Sequence, residues 1–257
     1  MILAILQARI SSSRLPGKVM LPILGEPMLI RQLERIQRSK TIDHIVIATS
    51  THPSDEAIAQ LCRQKKYSCF QGSLMDVLDR FMCVANMYKP DIVVRLTGDC
   101  PLADSNLIDE MITHFLKTHT LDYLSNCNPP TYPDGLDIEI MRLSALEIAW
   151  KEAFLPSHRE HVTPYIRSQS GRLQIQNYAS VNDYSAFRWT VDVAEDFELI
   201  KTIYEKLYPI NQCFTTEDIY LFLQDNPELT KLNMHIVRNA GSKKSILADQ
   251  WFLGNMR

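Results

Sequence analysis

Two sets of residues in this chain have the types and spacing to work on a phosphate. The first is QARISSSRLPGK, residues 7–18, which holds Arg9, Arg14 and Lys18, three serines and the pair Pro16-Gly17, with no acid among them. Arginine presents a planar fork of donors to phosphate oxygens, and lysine presents a point charge. A glycine beside a proline lets the loop turn sharply and brings backbone N–H groups close to a ligand. The second set is acidic: Asp99 in RLTGDCP and Asp192 in FRWTVDVAEDF, each expected just past the end of a strand. Two carboxylates facing a phosphate loop are what Mg²⁺ needs, because that hard cation is held by one or two carboxylates plus substrate phosphates. Taken singly, each aspartate also reads as a helix cap, and the basic loop reads as a solvated surface loop.

These residues need a scaffold that points them at one place. ILAIL, 2–6, is a continuous apolar run of the kind buried on both faces of a sheet. A helical pattern starts at Pro27, HIVIAT (44–49) reads as a strand, 54–66 as a helix and YSCF as a short strand. Ser73 with Asp76 has capping-box spacing, DIVVRL (91–96) is a strand ending at Thr97-Gly98-Asp99, and Asp104 can cap a helix to about residue 118. Strand and helix alternate, so the expected fold is α/β, a mostly parallel sheet with helices on both faces. In such a sheet ligands bind beyond the carboxyl ends of the strands, where the 7–18 loop and Asp99 would lie. Past the Pro-rich loop NPPTYPDG (128–135), the expected elements are a strand in DIEIMR, a helix capped by Ser157 and Glu160 to about 167, strands in RLQIQNY and FRWTVDV, and helices over 195–207 and 216–224.

The chain carries a formal net charge of −3, so the cations at 9–18 are a local concentration, and neither nucleic acid nor an anionic membrane is the expected partner. MILAIL is too short for a signal peptide or a membrane span. The six cysteines are scattered without a CxxC pair, as reduced thiols of a cytoplasmic protein would be. His158 and His161 in SHREH have a metal-like spacing but no CxxC beside them, so zinc is not expected.

The order of motifs, ILAILQARISSSRLPGK, IVIATS, VVRLTGDCPL and RWTVDVAEDFELI, resembles the cytidylyltransferases that activate 3-deoxy-octulosonate and sialic acids. GSLMDVLDRF (72–81) and REHVTPYI (159–166) make it most similar to the SpsF-like subgroup of spore coat polysaccharide biosynthesis. The resemblance spans roughly residues 1–225 and leaves 226–257 as an extension of open structure. It implies a Rossmann-like nucleotide-diphospho-sugar transferase (GT-A-like) sheet, with an insertion near 125–180 that helps form the acceptor site and a homodimer. The implied reaction joins CTP to a sugar-acid hydroxyl, giving CMP-sugar and pyrophosphate with Mg²⁺. By position, Arg14 and Lys18 would hold the triphosphate, and Asp99 and Asp192 the metal. Gln7, Ala8, Arg9, Ala48, Thr49, Ser50 and Gly72 would line the nucleotide pocket. Tyr132, Asp134, Gly135, Asp137 and Glu139 would meet the acceptor, and Arg80, Arg159 and His161 are further substrate candidates. Cys100 stands where the octulosonate enzymes carry an acid, and it reads as a small packed residue. A GT-A glycosyltransferase would carry a DxD metal motif where this chain reads GDC. A catalytically idle nucleotide-binding scaffold is the other reading left open.

Overall fold

The computed structural model describes residues 1–238 and 242–255 of the chain. In chain order the strands are β1 (Ile2–Gln7), β2 (Pro22–Ile23), β3 (Glu26–Pro27), β4 (His44–Ser50), β5 (Ser68–Gly72), β6 (Ile92–Thr97), β7 (Tyr123–Ser125), β8 (Glu139–Arg142) and β9 (Ile175–Asn177). The helices are α1 (Met28–Ile36), α2 (Glu56–Lys65), α3 (Val77–Tyr88), α4 (Ser105–Lys117), α5 (Leu143–Glu152) and α6 (Pro156–His161). They continue with α7 (Pro164–Arg167), α8 (Ala194–Leu207), α9 (Thr216–Asp225), α10 (Pro227–Thr230) and α11 (Ser242–Asn255).

Seven strands form one sheet in the order β5-β4-β1-β6-β8-β7-β9. The first four are parallel, β8 runs antiparallel to β6 and β7, and β9 is parallel to β7. Leu3 to Leu6 are fully buried, with Ala4 and Leu6 facing one core and Leu3 and Ile5 the other. The first core packs residues of α1, α2, α4, α8 and α9, and the second packs those of α3, α5 and α7. Each fully buried leucine or isoleucine side chain contributes about 1.5–3 kcal/mol. Gln7 pairs in register with Ala48 on one side and Thr97 on the other, so the carboxyl ends of β1, β4 and β6 make one edge. That edge carries the 8–17 loop and the turn at Gly98-Asp99.

Of the local expectations, one cap holds and several others are corrected. Asp104 does cap α4, accepting from the N–H groups of Asn106 and Leu107. In contrast, α3 starts at Val77 under Asp76, which accepts from Asp79 N, so Ser73 only orders the preceding turn. The helix expected over 157–167 breaks at Val162 (φ 69°) ahead of Pro164, and the Ser157 hydroxyl bonds to Asp249 instead of capping. FRWTVDV is not a strand: Arg188 makes an isolated bridge to Asp134, and the segment runs as irregular chain into α8. Within the 125–180 stretch, β8 is seated between β6 and β7 in the main sheet. Among the described residues no helix is long and apolar enough to cross a membrane.

Candidate active site

The basic loop is held at both ends. Ala8 N donates to Ala48 O, Ile10 N donates to the buried carboxylate of Asp55, and Gly17 N returns to Ile10 O with Gly17 at φ 74°. Asp55 also takes the Ser50 hydroxyl, so one buried acid ties the loop to the end of β4. Among the described residues, the N–H groups of Arg9, Ser11, Ser13 and Arg14 meet no acceptor, which leaves a row of backbone donors of the kind that binds phosphate.

The loop's cations are not uncompensated, as its composition alone implies; their partners come from distant segments. Lys18, 7 % exposed, donates from Nζ to Asp99 Oδ2 (3.1 Å), Asp192 Oδ1 (2.9 Å) and Val191 O (2.6 Å). Arg14 pairs with Asp192 Oδ2 at 2.8 Å, and the exposed Arg9 lies 3.7 Å from Glu160. Burial would lower the Lys18 ammonium, but Asp99 and Asp192 outweigh it and raise its pKa. Burial pushes the Asp99 carboxyl up, yet Lys18 and a hydrogen bond from Thr97 bring it down to about 2. Neither aspartate caps a helix. α4 has Asp104, and at the start of α8 it is Asp196 that accepts from Asp192 N and Val193 N. Cys100 is buried with its thiol pKa well raised by burial, as a packed residue rather than a nucleophile.

Behind Asp192 sits Arg188, 5 % exposed, whose guanidinium joins Asp196 (2.9 Å), Asp134 (2.7 Å) and Asp192 (3.2 Å). It links the Asp99–Asp192 pair to the 131–137 loop. Gly135 (φ 114°) passes so close to residues 189–190 that a Cβ would lie 2.5 Å from Thr190 N and Trp189 C. Only glycine allows that approach.

The sequence profile of the cytidylyltransferase family matches residues 3–227. The chain belongs to the cytidylyltransferase family. It is thus a nucleotidyltransferase, and a Rossmann-like one by its sheet. It is similar to the spore coat polysaccharide biosynthesis protein SpsF of Bacillus subtilis, 36% identical over 213 residues, 80% of this chain and 87% of that one. A mitochondrial 3-deoxy-manno-octulosonate cytidylyltransferase of Arabidopsis thaliana is 32% identical over 148 residues, 53% of this chain and 47% of its own length. The solved structure of a cytidylyltransferase from Leptospira borgpetersenii superposes with a TM-score of 0.85 at 35% identity, covering 89% of this chain and 96% of that one.

The other expected site residues divide into two groups. Gln7, Ala8 and Gly98 lie at the carboxyl edge, where Gly98 N donates to Gln7 O and a Cβ on Gly98 would stand 3.0 Å from Ala8 Cβ. Tyr132 stacks against Tyr178 beside Asp134, Gly135 and Asp137. Ala48, Thr49 and Ser50 are fully buried and support the loop from behind instead of lining a pocket with side chains. Gly72 lies against Arg80, where a Cβ would approach Arg80 Cγ to 3.0 Å.

Four candidates have their polar groups on protein partners. Arg80 is buried with its guanidinium on the carbonyls of Ser73, Leu74 and Ala48. Arg159 makes a two-pronged pair with Asp76 and a bond to Trp150 O, fastening α6 to α3. His161 reaches Ser245 on α11 at 2.7 Å, and burial lowers its pKa. Glu139 is buried under Arg95, Tyr123 and Thr163, and these partners bring its pKa down against burial.

The extension beyond 225 is part of the site's framework. Asn233 donates to Arg188 O and Asp196 Oδ1, both at 2.9 Å. Arg238 donates to Tyr132 O (3.2 Å) and to Asp137, with Nε 3.7 Å from Asp134. Asp55, Arg188, Asp196, Asn233 and Arg238 are absent from the expected set. The four-residue steps Arg188, Asp192, Asp196 are a legible signal for the second and third, while the last two carry no motif.

Proposed function

We propose that this cytidylyltransferase joins CTP to a small sugar acid, releasing pyrophosphate and a CMP-sugar for surface polysaccharide synthesis. The observation that carries the reading is the ion cluster of Arg14 and Lys18 with Asp99 and Asp192 at the carboxyl edge of the sheet. Two cations and two carboxylates held together in this way can exchange partners when a nucleotide arrives. Arg14 and Lys18 then pair with triphosphate oxygens, and the row of loop N–H groups adds fixed dipoles.

Asp99 and Asp192 would hold a divalent cation. Both are hard oxygen donors within 3.1 Å of one ammonium, and Asp99 stays ionised far below neutrality. Among the described residues no third His, Cys, Asp or Glu joins them, so phosphate oxygens would complete the set. Mg²⁺ bound there supplies charge neutralisation for the polyphosphate. In the reaction an acceptor hydroxyl oxygen forms a bond to the α-phosphorus and gives up its proton to solvent, while the bond to the α,β-bridging oxygen breaks. The electron pair leaves with pyrophosphate. Lys18, buried and positive, stabilises the charge that develops on that leaving group. Fixed donors of this kind are worth on the order of a hundredfold in rate each.

The acceptor lies against the 131–137 loop, whose aspartates accept hydrogen bonds from sugar hydroxyls. The sugar-acid class rests on the resemblance to octulosonate and sialic acid cytidylyltransferases. The test is pyrophosphate release on mixing each of the four nucleoside triphosphates with Mg²⁺ and 3-deoxy-manno-octulosonate or N-acetylneuraminate. Release with CTP alone, and a CMP-linked product, is the expected outcome. Transfer from a preformed nucleotide sugar without pyrophosphate would replace the reading with a glycosyltransferase.

A further inference from the structure

If the acceptor is an acid, some cation must meet its carboxylate, and most arginines near the acceptor side are already occupied. Arg80 is taken up by three carbonyls, Arg95 by Glu139 and Gln7, Arg159 by Asp76 and Trp150 O, and Arg188 by three aspartates. Among the described residues Arg95 and Arg238 each make hydrogen bonds through only two of their N–H donors: Arg95 to Gln7 and Glu139 on the sheet strands, Arg238 to Tyr132 O and Asp137 of the 131–137 loop, where its contact with Asp134 at 3.7 Å is a charge contact. A guanidinium has further donors, arranged to match a carboxylate.

Without Arg238 the 131–137 loop would repel an acid. Asp137 has no other ion-pair partner among the described residues, and Asp134 shares Arg188 with Asp192 and Asp196. Burial, with neighbouring carboxylates, raises the pKa of both Asp134 and Asp137 against the pull of Arg238. Arg238 is 17 % exposed and lies beyond residue 227, where the family match ends. Its segment is anchored on each side. Asn233 fixes it to Arg188 and Asp196, while on α11 Asp249 binds Ser157 and Ser245 meets His161 and Glu160.

We propose that Arg238, supplied by the C-terminal segment, is the specificity-determining residue of the acceptor half of the site: it takes the carboxylate of a polyhydroxylated acid while Asp134 and Asp137 take its hydroxyls. This rests on the cytidylyltransferase reaction proposed above. Removing a charge-assisted pair of this kind weakens binding by roughly 10- to 100-fold.

The experiment compares wild type, Arg238→Gln and Arg238→Lys. CTP is saturating and 3-deoxy-manno-octulosonate or its carboxamide is varied as acceptor, with pyrophosphate as the readout. Wild type is expected to favour the acid over the amide by about 10-fold or more in kcat/KM. Arg238→Gln should abolish most of that preference and leave the KM for CTP within about twofold, with Arg238→Lys intermediate. Asp249→Ala, which cuts one of the α11 anchors and leaves Arg238 in place, should keep the wild-type preference and so separates a general loosening from loss of the cation. Two results overturn the proposal and leave the reaction standing: an unchanged acid-to-amide ratio in Arg238→Gln, or equal use of acid and amide by wild type. No pyrophosphate from wild type with CTP and either acceptor defeats the reaction and the proposal together.

Discussion

Replacing Asp137 by asparagine should make the protein more stable at alkaline pH and less active. Burial first, then Asp134, Glu139 and Asp99, push the Asp137 carboxyl from an ordinary 3.8 up to about 7, against the pull of Arg238. Between those two values the native protein binds more protons than the unfolded chain. Stability therefore falls as pH rises through that interval, and the full cost is present above pH 7. At about 1.4 kcal/mol per tenfold change in proton affinity, the cost is at most about 4 kcal/mol. The side chain is 29 % exposed and asparagine deprives Arg238 of an ion pair, so a gain of about 1–2 kcal/mol at pH 8 is the expectation. In a chain of this size that is roughly 2–8 °C in Tm. Urea unfolding of wild type and variant at pH 5 and pH 8 measures it. The advantage of the variant should shrink severalfold at pH 5, and pyrophosphate release should fall at both. A variant destabilised equally at the two pH values would show that Asp137 is an ordinary ion-pair partner, and the electrostatic account of the acceptor loop would fail.

Three further substitutions probe the framework. Lys18→Met leaves Asp99 and Asp192 without their shared ammonium, and should cost about 2–4 kcal/mol in urea melts and on the order of a hundredfold in turnover. Arg188→Met strands Asp134, Asp192 and Asp196 beside an apolar side chain, with an expected loss of about 3–5 kcal/mol by the same measurement. Gly135→Ala forces a Cβ onto the backbone of residues 189–190 at φ 114°, and should lose about 3 kcal/mol or more, read as a lowered Tm.

The sheet was legible because its signal is local. ILAIL, HIVIAT and DIVVRL are apolar runs whose period needs no tertiary information, and they lie side by side at the heart of the sheet. Lys18, Asp99 and Asp192 were legible because loop-after-strand residues of opposite charge imply a shared edge. FRWTVDV misled because its apolar alternation reflects an aromatic cluster of Phe187, Trp189 and Tyr220, not ladder pairing. Arg80 and Arg159 read as substrate candidates from residue type alone. Their actual partners are backbone carbonyls and Asp76, which no spacing rule reveals. Arg238 and Asn233 lie about 100 and 40 residues from the groups they bind, in a segment without periodicity, so only the folded chain brings them to the site.

Thermal stabilisation by CTP, ATP, GTP and UTP, each with and without Mg²⁺, on wild type and Lys18→Met tests whether the basic loop and its carboxylates form a CTP site. At 100 times its dissociation constant a ligand adds about 2.7 kcal/mol. A shift for CTP above the other three is expected, larger with Mg²⁺ and lost in Lys18→Met. Equal stabilisation by all four nucleotides, or none by CTP, would contradict it.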